Sequence, residues 1–174
     1  AKKDSLHLAG EKQDDASTVK VSRVLNLFRE RYGCADAPAV RVDSHNHVPT
    51  AAGLASSSSG FAALAFAARA LFERAYPDEP HMSDTELSTF ARRGSRSIFG
   101  GFVEWSYGTG SQDSVAVPLD NADWDVAMVV AAISTQHKKI SSTYGMKHTA
   151  ATSAFYSLWR QASQQDLEAV RAGI

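Results

Sequence analysis

Three short stretches of this sequence have the composition to hold anions. The first is Gly53-Leu54-Ala55-Ser56-Ser57-Ser58, a run of small residues entering an apolar helical pattern. Small side chains let a ligand reach the backbone, and the first amides of a helix lack partners and sit at the positive end of its dipole. Serine hydroxyls add donors or help hold magnesium. No Gly-Lys-Ser/Thr follows, so this is phosphate chemistry without a loop lysine. The second stretch is Gly94-Ser95-Arg96, where a guanidinium could grip an anionic group through paired hydrogen bonds. The third is Ser141-Ser142-Thr143, hydroxyls ahead of another helical pattern. Each also has a plain structural reading: a serine-rich helix start, a surface ion pair, a capped loop.

Other reactive types are poorly placed. His45 and His47 lie at a strand end without a third ligand in range of sequence, so structural roles are expected and no metal site is assigned. Ser56–Ser59 contain no Gly-x-Ser-x-Gly elbow, which argues against a serine hydrolase. Trp105, Trp124 and Trp159 are too scattered for a stacking platform. A net charge of −1 gives no basic field for nucleic acid, so no nucleic-acid partner is expected. No apolar run reaches the ~20 residues of a membrane span. The single cysteine, Cys34, cannot form an internal disulfide, which fits a reducing, cytoplasmic setting.

The elements that must position these residues follow from periodicity. Residues 15–32 are predicted as a helix with Val21, Val24, Leu25, Phe28 and Tyr32 on one face. Val40–Ser44 alternates as a strand. A helix over 58–75 is expected to bury Phe61, Leu64, Ala65, Ala68, Leu71, Phe72 and Ala75. Ser83 and Glu86 have capping-box spacing before a helix through Leu87, Phe90 and Ala91, with a loop at Gly94–Arg96 after it. Strands are expected over 98–105, 114–119 and 126–133, with Pro118 confining the second to an edge or end. A final helix is expected over 146–172. Helices interleaved with strands imply a two-layer α+β or α/β domain.

Longer motifs narrow this. Asn46-His47-Val48-Pro49-Thr50-Ala51-Ala52-Gly53-Leu54-Ala55-Ser56-Ser57 resembles the ATP motif of the galactose, homoserine, mevalonate and phosphomevalonate kinase superfamily, in the version used by diphosphomevalonate decarboxylases. Leu87-Ser88-Thr89-Phe90-Ala91-Arg92-Arg93-Gly94-Ser95, followed by Arg96-Ser97-Ile98-Phe99-Gly100-Gly101-Phe102-Val103, resembles that family's substrate loop. It is shorter by Gly-Ser-Ala-x if Ser95 matches the family's first serine, or by Ser-Gly-Ser-Ala if Ser95 matches the residue just before the arginine. An unseen mobile stretch, rather than a deletion, is the expected explanation. Lys138-Lys139-Ile140-Ser141-Ser142-Thr143-Tyr144-Gly145-Met146, then Thr149, Thr152 and Ser153, resembles the family's diphosphate-facing segment. The opening Asp4-Ser5-Leu6-His7-Leu8-Ala9-Gly10-Glu11 is similar to a strand and turn that ends Asn-Gly-Glu in the family, with Ala9 in place of Asn.

The resemblance implies a two-layer kinase-superfamily α+β fold, with a ribosomal protein S5 domain 2-like N-terminal domain. It implies an N-terminal ATP-binding domain over 1–145 and the start of a second domain over 146–174. It also implies ATP-dependent decarboxylation of mevalonate 5-diphosphate to isopentenyl diphosphate, with Mg2+ beside ATP, in a cytoplasmic homodimer of isoprenoid and sterol precursor synthesis. Gly53, Leu54, Ala55, Ser56, Ser57 and Ser58 would bind nucleotide; Ser95, Arg96, Ser142 and Thr143 would bind substrate. The family's Tyr-Trp-Gly-Lys segment and its catalytic aspartate in an Asp-Ala-Gly-Pro-like context do not occur in these residues, and Asp43, Asp113 and Asp125 do not sit in that context. The chain is therefore read as a central fragment without turnover of its own. Related activities on the same fold are a mevalonate 3-kinase, a phosphomevalonate decarboxylase and a noncatalytic sensor.

Overall fold

The computed structural model describes residues 3–47, 56–106, 108–110, 113–120, 124–127, 129–131 and 140–174, with the backbone alone at 92 and 93. The ATP-motif residues Gly53, Leu54 and Ala55 lie outside the described residues. The chain divides into two units, Ala1–Asp125 and Val126–Ile174. Position 145, where a domain boundary is expected, falls in the second unit.

The first unit opens with β1 (Ser5–Leu8) and β2 (Glu11–Lys12), joined by a tight turn at Ala9 and Gly10. Both turn residues have positive φ, 52° and 86°, as a type I′ hairpin turn requires. Helix α1 (Asp15–Arg31) follows; the Asp14 carboxylate caps it by accepting from the Ser17 amide at 2.8 Å. Strand β3 (Arg41–Ser44) returns parallel to β1, giving the order β2-β1-β3.

Helix α2 (Ser56–Ala75) and helix α3 (Asp84–Ala91) pack on α1. The predicted α1 face is the buried one: Val21, Val24, Leu25, Phe28 and Tyr32 all enter the core. Phe28 stacks on Phe72 at 5.6 Å between ring centroids and meets Phe90 at 4.9 Å. Leu6, Val40 and Val42 close the core from the sheet side. On α2 the buried stripe runs through Ala62, Leu64, Ala65, Ala68 and Phe72. Leu71 and Ala75, expected to be core, are exposed instead. At 3.6 residues per turn Leu71 has rotated away from the centre of that stripe, and Ala75 is the last residue of the helix.

The capping box before α3 is half made. The Glu86 amide donates to Ser83 Oγ at 3.1 Å, but the Glu86 carboxylate takes the Arg31 Nε–H at 3.0 Å. A guanidinium on α1 outcompetes the local backbone for it. The expected loop at Gly94–Arg96 belongs to a 3-10 segment, Arg92–Ile98, which runs on directly from α3. Gly94, Ser95 and Arg96 follow one another directly within this segment.

Strands β4 (Phe102–Trp105) and β5 (Ala116–Asp120) form an antiparallel pair. Its register shifts at Phe102/Val103, beside the Val103–Pro118 pairing, where a proline has no amide to give the ladder. The strand expected over 126–133 is not formed at its described residues.

In the second unit, the single helix expected over 146–172 is two helices, α4 (Ser142–Thr152) and α5 (Tyr156–Gly173). They separate at Ser153, whose amide donates back to Thr149 and whose backbone is extended. Neither helix has a buried residue.

Candidate functional site

Helix α2 begins in the serine run. Ser56 and Ser58 are half-buried and Ser57 is exposed, and Ser59 Oγ donates to the Ser56 carbonyl at 3.0 Å. No acidic residue sits in this first turn. The partial positive charge of the helix start is therefore not offset there by a carboxylate, which suits an incoming phosphate. A helix start is not a site by itself; the neighbouring turn supplies the second observation.

That turn is Gly94–Arg96. Gly94 is buried, and a Cβ built on it would lie 2.5 Å from the Ser58 carbonyl oxygen and 2.7 Å from the Ala62 amide nitrogen. Only a glycine lets the two backbones approach this closely. The approach sets the start of the ATP-motif helix directly against the turn that carries Ser95 and Arg96. Backbone amides and serine hydroxyls at a helix start are donors that phosphate oxygens accept, and Ser56, Ser57 and Ser58 have that chemistry.

Ser95 and Arg96 part company in the structure. Ser95 is 1% exposed, and its hydroxyl donates to the Ser88 carbonyl at 2.6 Å. That side chain fastens the turn to α3. Arg96 is exposed, with its guanidinium carbon 5.6 Å from the centre of the Trp105 ring. None of the ion pairs among the described residues involves Arg96.

Ser88 lies in the stretch that resembles the substrate loop, without a role assigned from the sequence, and it joins three elements. Its hydroxyl donates to Thr85 O at 2.7 Å and accepts the Ala116 amide at 3.0 Å, while its carbonyl receives Ser95. The signal was present: a small polar residue between Leu87 and Ala91 on the face that α3 buries.

Ser142 and Thr143 are placed in the second unit, in the first turn of α4, with Ser142 exposed and Thr143 half-buried. Ser141 caps the helix, accepting the Tyr144 amide at 3.2 Å.

The aspartates and histidines set aside in the sequence have local roles. Asp113 accepts from the Thr109 amide and hydroxyl and from the Gly110 amide. Those bonds hold its pKa down to about 2. Asp43 pairs with Arg41 at 2.8 Å, which holds its carboxyl below the usual range. His45 and His47 meet edge to face at 5.1 Å, and no metal-ligating group of three forms among the described residues. None of the described helices is long and apolar enough to cross a membrane.

Helices over a mixed sheet, with a serine-rich helix start held against an arginine-bearing turn, make the first unit an α+β domain. Residues 1–116 match the diphosphomevalonate decarboxylase-like N-terminal domain. The chain belongs to that family. It is 37% identical over 171 residues to the diphosphomevalonate decarboxylase of Saccharomyces cerevisiae, covering 88% of this chain and 42% of the yeast protein. The crystal structure of mevalonate diphosphate decarboxylase from Staphylococcus aureus superposes with a TM-score of 0.84 at 38% identity, over 99% of this chain and 51% of that one. A structure of MDDEF in complex with MVAPP, AMPPCP and magnesium matches with a TM-score of 0.74 at 35% identity, over 97% and 51% of the two chains. The chain thus spans about half the length of these solved relatives.

Proposed function

We propose that the protein carrying this chain converts mevalonate 5-diphosphate and ATP to isopentenyl diphosphate, ADP, phosphate and carbon dioxide. A tertiary hydroxyl is a poor leaving group, so ATP first phosphorylates it. Phosphate then departs, positive charge develops at that carbon, and the neighbouring carboxylate leaves as carbon dioxide to form the alkene. Such chemistry depends on holding several anions in register.

In this reading Gly53–Ser58 hold the Mg–ATP phosphates, and Arg96 orients the acidic substrate. Ser142 and Thr143, at the start of α4, take the diphosphate. Ser95 contributes by bracing the turn, since its hydroxyl is already donated to Ser88. The observation that carries the reading is the Gly94 approach to Ser58 and Ala62, because it couples nucleotide and substrate motifs through backbone contact. MDDEF holding MVAPP, AMPPCP and magnesium together lends it support. A cytoplasmic homodimer in isoprenoid and sterol precursor synthesis accords with the same reading.

The test uses the protein expressed from its full coding sequence. Mevalonate, mevalonate 5-phosphate and mevalonate 5-diphosphate are each supplied with Mg–ATP, and ADP and carbon dioxide are measured. Carbon dioxide from the diphosphate alone is expected. Carbon dioxide from the monophosphate, ADP without carbon dioxide from mevalonate, or tight binding without turnover would each replace the proposal with a related activity or a sensor. The 174-residue chain by itself is expected to release no carbon dioxide, since the family's lysine and aspartate segments do not occur in it.

A further inference from the structure

The contacts around Arg96 form a closed circuit. Ser95, its neighbour in the chain, donates to the Ser88 carbonyl, and Ser88 Oγ accepts the Ala116 amide. Ala116 pairs across the β4–β5 ladder with Trp105. The Trp105 ring returns to the guanidinium of Arg96, 5.6 Å from its centre. The ring is itself oriented: its indole N–H donates to the Ser114 carbonyl at 3.3 Å. Ser88, Ser95 and Ala116 are fully or almost fully buried, whereas Arg96 and Trp105 face solvent.

A guanidinium over an aromatic ring is attracted through its flat face, while its N–H donors point outward in the plane of the group. The cation–ring contact therefore steadies the guanidinium without consuming the donors that an anion needs. A carboxylate partner would have taken those donors. Steadying also lowers the side-chain entropy lost when a ligand is gripped, because a long rotamer-rich side chain is already partly ordered.

We infer that Trp105 is a positioning residue for the substrate anion: its ring holds the Arg96 guanidinium in the orientation that receives the phosphate or carboxylate groups of the ligand. This rests on the reading of Arg96 as a substrate residue. Trp105 touches no substrate; it acts through Arg96. The Gly94–Arg96 turn, anchored at Ser95, keeps the arginine within reach of the ring.

The experiment measures mevalonate 5-diphosphate binding by calorimetry to the full-length protein and to Trp105→Leu, Trp105→Tyr, Arg96→Leu and the double variant. The Arg96 Nε–H resonance is followed alongside. Wild type should show that proton displaced by the ring current, and Trp105→Leu should abolish the displacement while leaving core resonances in place. Affinity should fall about two- to fivefold in Trp105→Leu and recover toward wild type in Trp105→Tyr. In the Arg96→Leu background, removing the ring should cost nothing further. If Arg96→Leu weakens binding and Trp105→Leu does not, the positioning role is overturned and the substrate reading stands. A Trp105→Leu loss of equal size in both backgrounds also overturns it, because the ring would then act through the fold. Wild-type binding that is absent or indifferent to Arg96→Leu would overturn the substrate reading itself, and this inference with it.

Discussion

Ala9 shows how much a single backbone angle can explain. Its φ of 52° puts an ordinary side chain in the left-handed region, at a strain of about 1–2 kcal/mol. The resembling family turn carries Asn there, and Asn before Gly is the favoured pair for a type I′ turn. Ala9→Asn should therefore stabilise the chain by about 1 kcal/mol, read as a higher urea midpoint at an unchanged m-value. A lowered midpoint would show that the turn has another conformation. Gly94 is the opposite case, with no room for any side chain. Gly94→Ala puts a methyl 2.5 Å from the Ser58 carbonyl, and backbone rather than a flexible side chain must yield. A loss of about 1–3 kcal/mol is expected, together with weakened nucleotide binding, because the start of α2 and the arginine turn are forced apart. Unchanged melting and unchanged ATP-analogue affinity would contradict the contact. The glycine was legible as part of a motif. Its partners were not, because spacing along a chain does not reveal which backbone a turn will touch.

Among the elements, Ser88 is where packing can be tested most directly. Ser88→Ala removes the acceptor of the buried Ala116 amide and the donor to Thr85, while leaving its carbonyl for Ser95. Loss of a buried partner costs about 1–3 kcal/mol, so chemical denaturation should detect it. Amide exchange should quicken at Ala116 before it does in α1, and uniform quickening would instead mean a diffuse effect. Elements with a strong apolar period were legible. The α1 face from Val21 to Tyr32 and most of the α2 stripe are where periodicity puts them. Failures came where tertiary partners decide. Arg31 draws Glu86 away from its capping box, and the Arg92–Ile98 segment winds as 3-10 helix against α2 and α3 rather than lying as an open loop. An alternating or apolar run does not choose its own partner strand, so the pattern after Asp125 misled. The break at Ser153 followed an uninterrupted-looking helical pattern, since Ser and Thr also offer the backbone local hydrogen bonds outside a helix. The candidate site was legible as motifs, but the division of labour between a buried Ser95 and an exposed Arg96 was not. That division depends on Ser88 and Trp105, which lie in other elements.

At the scale of the molecule, one ion pair joins the opening strand region, α1 and the approach to β3. Asp4 accepts both terminal nitrogens of Arg29, at 2.8 and 3.0 Å, and also takes the Val40 amide at 2.8 Å. The hydrogen bonds from the Arg29 side chain lead in holding its pKa down, from the ordinary 3.8 to about 2. The folded chain thus binds fewer protons than the unfolded chain between those values. The pair's stabilisation is complete above the unfolded pKa and is lost as pH falls through about 2. Asp113 titrates in the same low range, so wild-type acid unfolding alone would mix the two groups. Comparison with Asp4→Asn separates them, because Asp113 is common to both proteins. At neutral pH the variant leaves Arg29, only 8% exposed, without its charge partner, and breaking a buried pair in this way costs about 3–5 kcal/mol. Urea unfolding from pH 6 downward should show that stability gap hold steady until about pH 4, then narrow as wild-type Asp4 takes up its proton. A gap that stays constant to pH 2 would mean that Asp4 acts through packing and neutral hydrogen bonds, and that the strand, α1 and the β3 approach are joined by shape rather than by charge.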